Sequence, residues 1–561
     1  MSKRAGWALI LAALAAFLLL NRAAYKGYFQ DDDLDTLGWA RAVPASEFLG
    51  YLVTPRLSPA NFRPVGAFYY HALETTFGLD FPKYVVVLHA LQFLNIWLVW
   101  LVAQRLGIGP LGAAAGAFFF GFHAVLMDAW WKPMYVFDIL CATFSLVALL
   151  FYAYDRWILS LISFWLAYKS KELAVMLPAV LACYELWFGQ RRWKRLIPFF
   201  AVSLLFGVQA LIIPVHRGTR YEMQLGLGAQ AGTIRFYSSQ LFLLPYAGLL
   251  LLVLPFVIRD RRLWFGLAAM CLLILPLLLL PGRLYAVYWY VPLVGAALVL
   301  ASLADGPYRW AAVSLLVLWI PWDFVHFREL RRINQRTEQQ NRAYVAAIER
   351  FASLNPGQRL FVYDALPEDF HDWGVTGALR TVYRDTSVTA EHIDQPRAVE
   401  LIQTGDAAWL HWSRGIGRLD IVQYPRERPL LPYLKMDISS PPNQLLEGWY
   451  NPDDDFRWTR PDATAVLLEP AGARHFEVVA CAAPEQIRRF HSVTLRALAD
   501  KQLIGQHEFT APGCGTFAWP APAGAAGKVT IEFHSSPPYS PSNGDPRILG
   551  ISIKAFGFTS Q

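Results

Sequence analysis

Eleven apolar runs dominate the first 326 residues. They fall at about 6–20, 84–104, 108–126, 135–154, 157–168, 172–188, 196–215, 238–258, 264–281, 284–304 and 310–326. Several come close to the ~20 residues that cross a bilayer as a helix. In hydrocarbon a backbone satisfies its own N–H and C=O groups only as a helix or a closed barrel. The chain is therefore expected to be a polytopic α-helical membrane protein with about eleven spans. Its 55% apolar residues, 21 Trp and 37 Phe fit that class, and 561 residues exceed one domain. The run at 157–168 is too short to cross alone and reads as a broken or re-entrant helix. Met1-Ser2-Lys3-Arg4 before the first run resembles a signal peptide. Asn21 to Tyr25 offers no convincing cleavage site, so an uncleaved first span is expected.

Charge placement sets the orientation. Arg105, Arg156, the run Arg191-Arg192-Trp193-Lys194-Arg195, Arg259 to Arg262, and Arg309 all fall on one side if the N-terminus is cytoplasmic. With an odd number of spans, everything past His326 then lies outside. The net charge of +7 is modest and sits in short loops, which excludes a nucleic-acid surface.

Composition changes near Phe327. Three domains are expected: 1–326 in the membrane, 327–447 as a linker helix with a small α/β subdomain, and 448–561 as a β-sandwich of short strands separated by Gly and Pro. Cys141, Cys183 and Cys271 sit inside apolar runs as core thiols, whereas Cys481 and Cys514 could pair in an oxidising compartment. No Cys/His spacing suits a metal.

The outward loops hold the chemistry. The first carries Asp31, Asp32, Asp33 and Asp35, four carboxylates in five residues. Such a cluster repels itself unless a cation, a proton or a substrate relieves it. A solvated acidic turn or a helix cap accounts for it equally well. The next loop runs from His123 through Asp128, Trp130 and Trp131 to Pro133, with Asp138 just inside the following span. Further loops carry Lys169, Lys171 and Glu172, then His216, Arg217, Arg220 and Arg235, then Arg283, Tyr285 and Tyr288.

This set suits transfer of a sugar from a lipid phosphate to an acceptor hydroxyl. The acceptor needs a general base, for which Asp31, Asp32 and Asp33 all qualify. Asp128 would assist the base. If the reaction uses a divalent cation, Mg or Mn, Asp32 and Asp128 would hold it. Arg63, Lys169, Lys171 and Arg283 are the candidate phosphate partners. His123, Trp130, Asp138, Glu172 and Tyr285 would line the substrate pocket. Each has a structural alternative. Asp128 also pairs sensibly with Lys132, Lys169 and Lys171 with snorkelling at a span end, and the two tryptophans with an interfacial belt.

The order of these segments resembles the GT-C class of polytopic glycosyltransferases. In particular it resembles the transmembrane O-mannosyltransferases with tetratricopeptide repeats and their bacterial relatives. Five segments carry the likeness over the first 320 or so residues. They are Asp31-Asp32-Asp33; Asn61-Phe62-Arg63-Pro64-Val65 with Phe77-Gly78-Leu79-Asp80 and His89-Ala90-Leu91; His123 through Asp128 to Asp138; Ser170-Lys171-Glu172 through Pro178; and Arg283-Leu284-Tyr285 with Tyr290-Val291-Pro292.

The resemblance implies a polyprenyl-phosphate sugar donor, inversion at the anomeric carbon and a catalytic Asp in the first outward loop. It also implies a glycan, lipid or protein acceptor and a place in the bacterial inner membrane with a periplasmic C-terminal part. The chain departs from the pattern at Ala124, where the family has Pro, and at Asp128, where Glu is common. The repeats are absent, which weakens protein O-mannosylation. The C-terminal strands look like the jelly-roll appendage of bacterial envelope glycosyltransferases. A glycolipid transporter or flippase is the first competing reading, kept in view by Asp138. A non-catalytic glycan-binding scaffold is the second.

Overall fold

The structure is a computed structural model that describes residues 13–55, 63–212, 223–224, 226–425, 429–441, 443–522, 526–542 and 545–560. The start of the first apolar run, Asn61, Phe62, His216, Arg217 and Arg220 lie outside the described residues. The chain divides into two compact units, Met1–Gln339 and Gln340–Gln561.

The first unit is helical. A helix through 13–21 leads into a loop region that itself folds as helices α1 (Asp31–Ala40), α2 (Ala45–Val53) and α3 (Pro64–Phe77). Then come α4 (Phe81–Arg105), α5 (Pro110–Phe122), the short α6 (Met127–Trp131), α7 (Val136–Ala153), α8 (Trp157–Ser170), α9 (Leu177–Trp187), α10 (Ile197–Ile212), α11 (Leu227–Gln240), α12 (Arg261–Leu278), α13 (Leu293–Asp305) and α14 (Arg309–Leu354).

Proline places many of these starts. Pro82, Pro110 and Pro178 each occupy the first turn, where a missing N–H costs nothing. Glycine sets the closest helix pairing. A Cβ on Gly116 of α5 would lie 2.4 Å from the Ala297 carbonyl oxygen of α13, and one on Gly295 would lie 2.4 Å from the Met270 nitrogen of α12. Small residues let these backbones touch, as membrane helix interfaces favour.

Among the described residues, α4, the segment Pro133–Ala153, α12 and α14 are long and apolar enough to cross a membrane. The pair Pro110–Phe122 and Ala124–Trp131 adds one more if counted as a single span, bent by 49°. The other expected spans take different forms. The run at 238–258 is not one helix: α11 ends at Gln240, Leu243 and Tyr246 adopt positive φ, and Ala247–Val253 is a 3-10 stretch. Pro245 and Pro255 withhold the amides a continuous helix would need. The run at 172–188 opens with a 3-10 turn, Glu172–Met176, and α8 has only 14 residues.

No break occurs at 326. Helix α14 runs for 46 residues, about 69 Å at 1.5 Å per residue, so the apolar run and the charged stretch Arg328–Arg350 form one rod. The division between the two units falls inside it, after Gln339.

The second unit holds two sheets. Strands β1 (Leu360–Tyr363), β2 (Thr389–His392), β3 (Ala407–Ser413) and β4 (Arg418–Gln423) lie in the order β2-β1-β3-β4. β1 is parallel to β2 and β3, and β4 is antiparallel to β3. Helices α15 (Asp372–Tyr383) and α16 (Pro396–Thr404) make the two crossovers. Together these four strands and two helices make a small α/β subdomain.

The remaining strands are β5 (Tyr433–Lys435), β6 (Leu445–Asp453), β7 (Phe456–Glu469), β8 (His475–Ala482), β9 (Val493–Ala499), β10 (Gln502–Phe509), β11 (Gly513–Pro520), β12 (Gly527–Ser536) and β13 (Ser552–Thr559). They share one hydrogen-bonded sheet ordered β10-β9-β12-β7-β13-β8-β11, with β5 and β6 attached, rather than two separate sheets. Its end strands meet, because His507 of β10 stacks on Phe517 of β11 at 3.8 Å between ring centroids. The sheet therefore curls almost to a barrel around Phe476, Val478, Leu495, Ile531, Phe533 and Phe556. It begins at β5, ahead of the expected 448 boundary. Cys481 and Cys514 form a disulfide between β8 and β11.

Candidate active site

The acidic cluster is the first turn of α1. Gln30 precedes the helix in an extended conformation, and its N–H donates to Asp33 Oδ2 at 2.8 Å. Tyr70 of α3 donates its hydroxyl to Asp33 Oδ1 at 2.6 Å. Asp33 has no exposed surface, and burial lifts its carboxyl from 3.8 to about 7 against the two hydrogen bonds that favour the anion. Asp31 is also buried, and its Oδ1 accepts the Asp32 N–H at 2.9 Å. Asp32 is exposed. The three adjacent carboxylates thus have three different environments, which their sequence does not distinguish.

Two ion pairs lie nearby. Arg63, at the start of α3, binds Glu172 through two nitrogens at 2.9–3.2 Å. Burial raises the Glu172 carboxyl, yet Arg63 more than reverses this and holds it below the usual range. Lys171 meets both carboxylate oxygens of Asp138 at 2.6 and 2.7 Å, with both side chains buried. The Lys171 ammonium also sits 4.5 Å from the centroid of the Tyr288 ring. Arg283 donates to the Tyr288 hydroxyl at 2.6 Å and stacks over Tyr285 at 5.1 Å. Arg63 is within the electrostatic reach of Asp138 and Tyr288. Tyr135, in the turn Pro133–Tyr135, is within reach of Asp128, Asp138, Tyr288 and Asp32.

Other expected site residues are placed differently. His123 does not line a pocket. It is wholly buried between Phe119 and Trp319, accepts the Val125 N–H on Nδ1 and donates from Nε2 to the Leu241 carbonyl at 2.8 Å. Its task is to cap the turn that breaks the apolar run.

Trp130 is neither a stacking platform nor an interfacial anchor. It is buried against Phe17, and its indole N–H donates to Asn21 at 3.0 Å. Trp131 is equally buried and donates to Glu338. Asp128 accepts from Lys132 at 3.3 Å and from Asn334 at 2.8 Å. Among the described residues no three His, Cys, Asp or Glu side chains gather where an ion could be held. Lys169 turns toward the first loop and donates to the Thr54 carbonyl at 2.7 Å. Tyr70 and Tyr135 were not expected at the site. Nothing in their spacing marks them, because their roles come from helices packing across the chain.

No protein-family model matches the chain, and a comparison with curated proteins finds no match. Among solved structures, low-identity matches are found. ArnT from Cupriavidus metallidurans bound to undecaprenyl phosphate has 13% identity and a TM-score of 0.44, over 72% of this chain and 93% of that one. The apo state of the same ArnT has 15% identity and a TM-score of 0.43, over 73% and 93%. The arabinosyltransferase EmbB from Mycobacterium smegmatis has 12% identity and a TM-score of 0.35, and this chain covers 64% of its length. At such identities no residue correspondence carries over.

Proposed function

We propose that this chain is a membrane glycosyltransferase of the bacterial inner membrane. It moves a sugar, with inversion, from a polyprenyl-phosphate donor to an acceptor hydroxyl on the periplasmic side. The observation that carries the reading is the packing of α3: its Tyr70 holds Asp33 and lies against Phe137, over whose ring Arg63 sits, so the acidic turn and the Arg63–Glu172 pair share one helix.

Asp32 is the general base of this reading. It is the exposed member of the cluster, whereas Asp33 is committed to Gln30 and Tyr70. Arg283, poised on a phenol, is the first candidate for the donor phosphate. Arg63 and Lys171 each hold a carboxylate and lend positive charge at second hand. The transporter reading leaned on Asp138, and its pairing with Lys171 gives that carboxylate a structural partner instead.

The test is the Asp32→Ala protein reconstituted in liposomes with radiolabelled polyprenyl-phosphate pentoses and hexoses. Loss of a general base lowers transfer by about 10²- to 10⁴-fold while the protein still inserts. Undiminished transfer by this variant would sink the proposal.

A further inference from the structure

The α/β subdomain carries a second polar centre that the transfer reading does not use. Strand order β2-β1-β3-β4 puts the two parallel neighbours of β1 on opposite sides of it, so the connections diverge between β1 and β3. In open α/β sheets ligands bind outside the carboxyl ends of the strands at such a divergence. Asp364 is the first residue past β1. The pairing of Tyr363 with Leu410 sets it level with His411 of β3. The two bond, His411 Nδ1 to Asp364 Oδ2, at 2.7 Å, and both side chains are over nine-tenths buried. Trp409 lies two residues before His411 on the same sheet face, its ring centroid 6.2 Å from the imidazole. Arg457 of β7 stacks over Trp409 at 5.8 Å and lies within the field of Asp364.

Four buried atoms of this group have no hydrogen-bond partner among the described residues: Asp364 Oδ1, His411 Nε2, Trp409 Nε1 and Arg457 Nε. Buried polar atoms left unmet are costly, so they call for an occupant. The donor count narrows it. With His411 neutral and its Nδ1–H given to Asp364, Nε2 is an acceptor, as is Asp364 Oδ1, whereas the indole and guanidinium N–H groups are donors. Two acceptors and two donors are met by groups that each give and take a hydrogen bond. An anion would leave both acceptors unmet, and a cation both donors. Asp453, exposed and 3.6 Å from Arg547, lies within the field of His411.

We infer that Asp364, His411, Trp409 and Arg457 form a binding site for two hydroxyls of a sugar residue, separate from the transfer centre of the helical unit. The carboxylate and guanidinium take one hydroxyl and the imidazole and indole the other.

The test is saturation-transfer NMR on the full-length protein in detergent with methyl glucoside, mannoside, galactoside and arabinoside. At least one glycoside is expected to show transfer in the wild type and in Asp32→Ala. Its affinity should fall at least tenfold in both Asp364→Asn and Arg457→Met, each checked for an unchanged melting temperature so that a misfolded variant is not counted. Absence of transfer with all four glycosides overturns the inference, as does wild-type affinity in either variant. A solved structure with only ordered water on these four atoms in saturating glycoside also overturns it. Loss of binding in Asp32→Ala alone would place the sugar at the transfer centre and overturn it too.

Discussion

Asp33→Asn separates a structural carboxyl from a catalytic one. The substitution keeps the local bonding, since an Asn oxygen accepts the Gln30 N–H and its amide donates to the Tyr70 hydroxyl. What it removes is ionisation. Burial raises the folded carboxyl from 3.8 to about 7. A raised folded value means stability is fully present below about pH 4, is lost as pH climbs toward 7, and is flat above that. Roughly three pH units at ~1.36 kcal/mol each give a ceiling of about 4 kcal/mol. Between pH 5 and pH 8 about 2–3 kcal/mol of that is lost in the wild type and none in the variant. Thermal unfolding of both purified proteins should therefore show the variant gaining on the wild type by several degrees from pH 5 to pH 8. Sugar transfer should persist. A constant offset at the two pH values would refute the burial argument. Loss of transfer in a stable Asp33→Asn protein would move the base from Asp32 to Asp33.

Two further outcomes follow from the packing. Lys171→Met strands the Asp138 carboxylate and should cost about 3–5 kcal/mol, and adding Asp138→Leu should recover much of that, as melting temperatures would reveal. Trp130→Phe loses the indole hydrogen bond to Asn21 and leaves a cavity against Phe17, together about 2–4 kcal/mol, and should leave the KM for the sugar donor unchanged. A large rise in KM would restore Trp130 to the substrate pocket.

The helical unit was legible because its cause is one-dimensional. Apolar runs, Pro at first turns and flanking basic loops mark helices whatever they pack against, and α4, α7 and α12 fall where the runs do. The run at 238–258 misled because hydropathy does not register what Pro245 and Pro255 do to the backbone. Composition changes near Phe327 without a change of secondary structure, because a polar helix can continue an apolar one without interruption, as α14 does.

The site was legible only as a list of parts. Clustering of Asp31, Asp32 and Asp33 marks the turn, but which of them faces solvent depends on Tyr70, and nothing in the text of α3 links that residue to α1. The same holds for the cations. Lys171 and Arg63 look like free phosphate partners in sequence because the carboxylates that hold them, Asp138 and Glu172, come from other segments or turns. Local chemistry is written along the chain, whereas the state of a buried charge is set by what the fold brings to it. Asp128 carries the argument furthest. Read alone it was a second acid or a metal ligand, and in the fold it joins Lys132 to Asn334 of α14. A carboxylate that ties a loop to a helix will look catalytic in any alanine scan, so its role must be judged by whether Asp128→Asn, which keeps one acceptor for Asn334, restores transfer lost in Asp128→Ala.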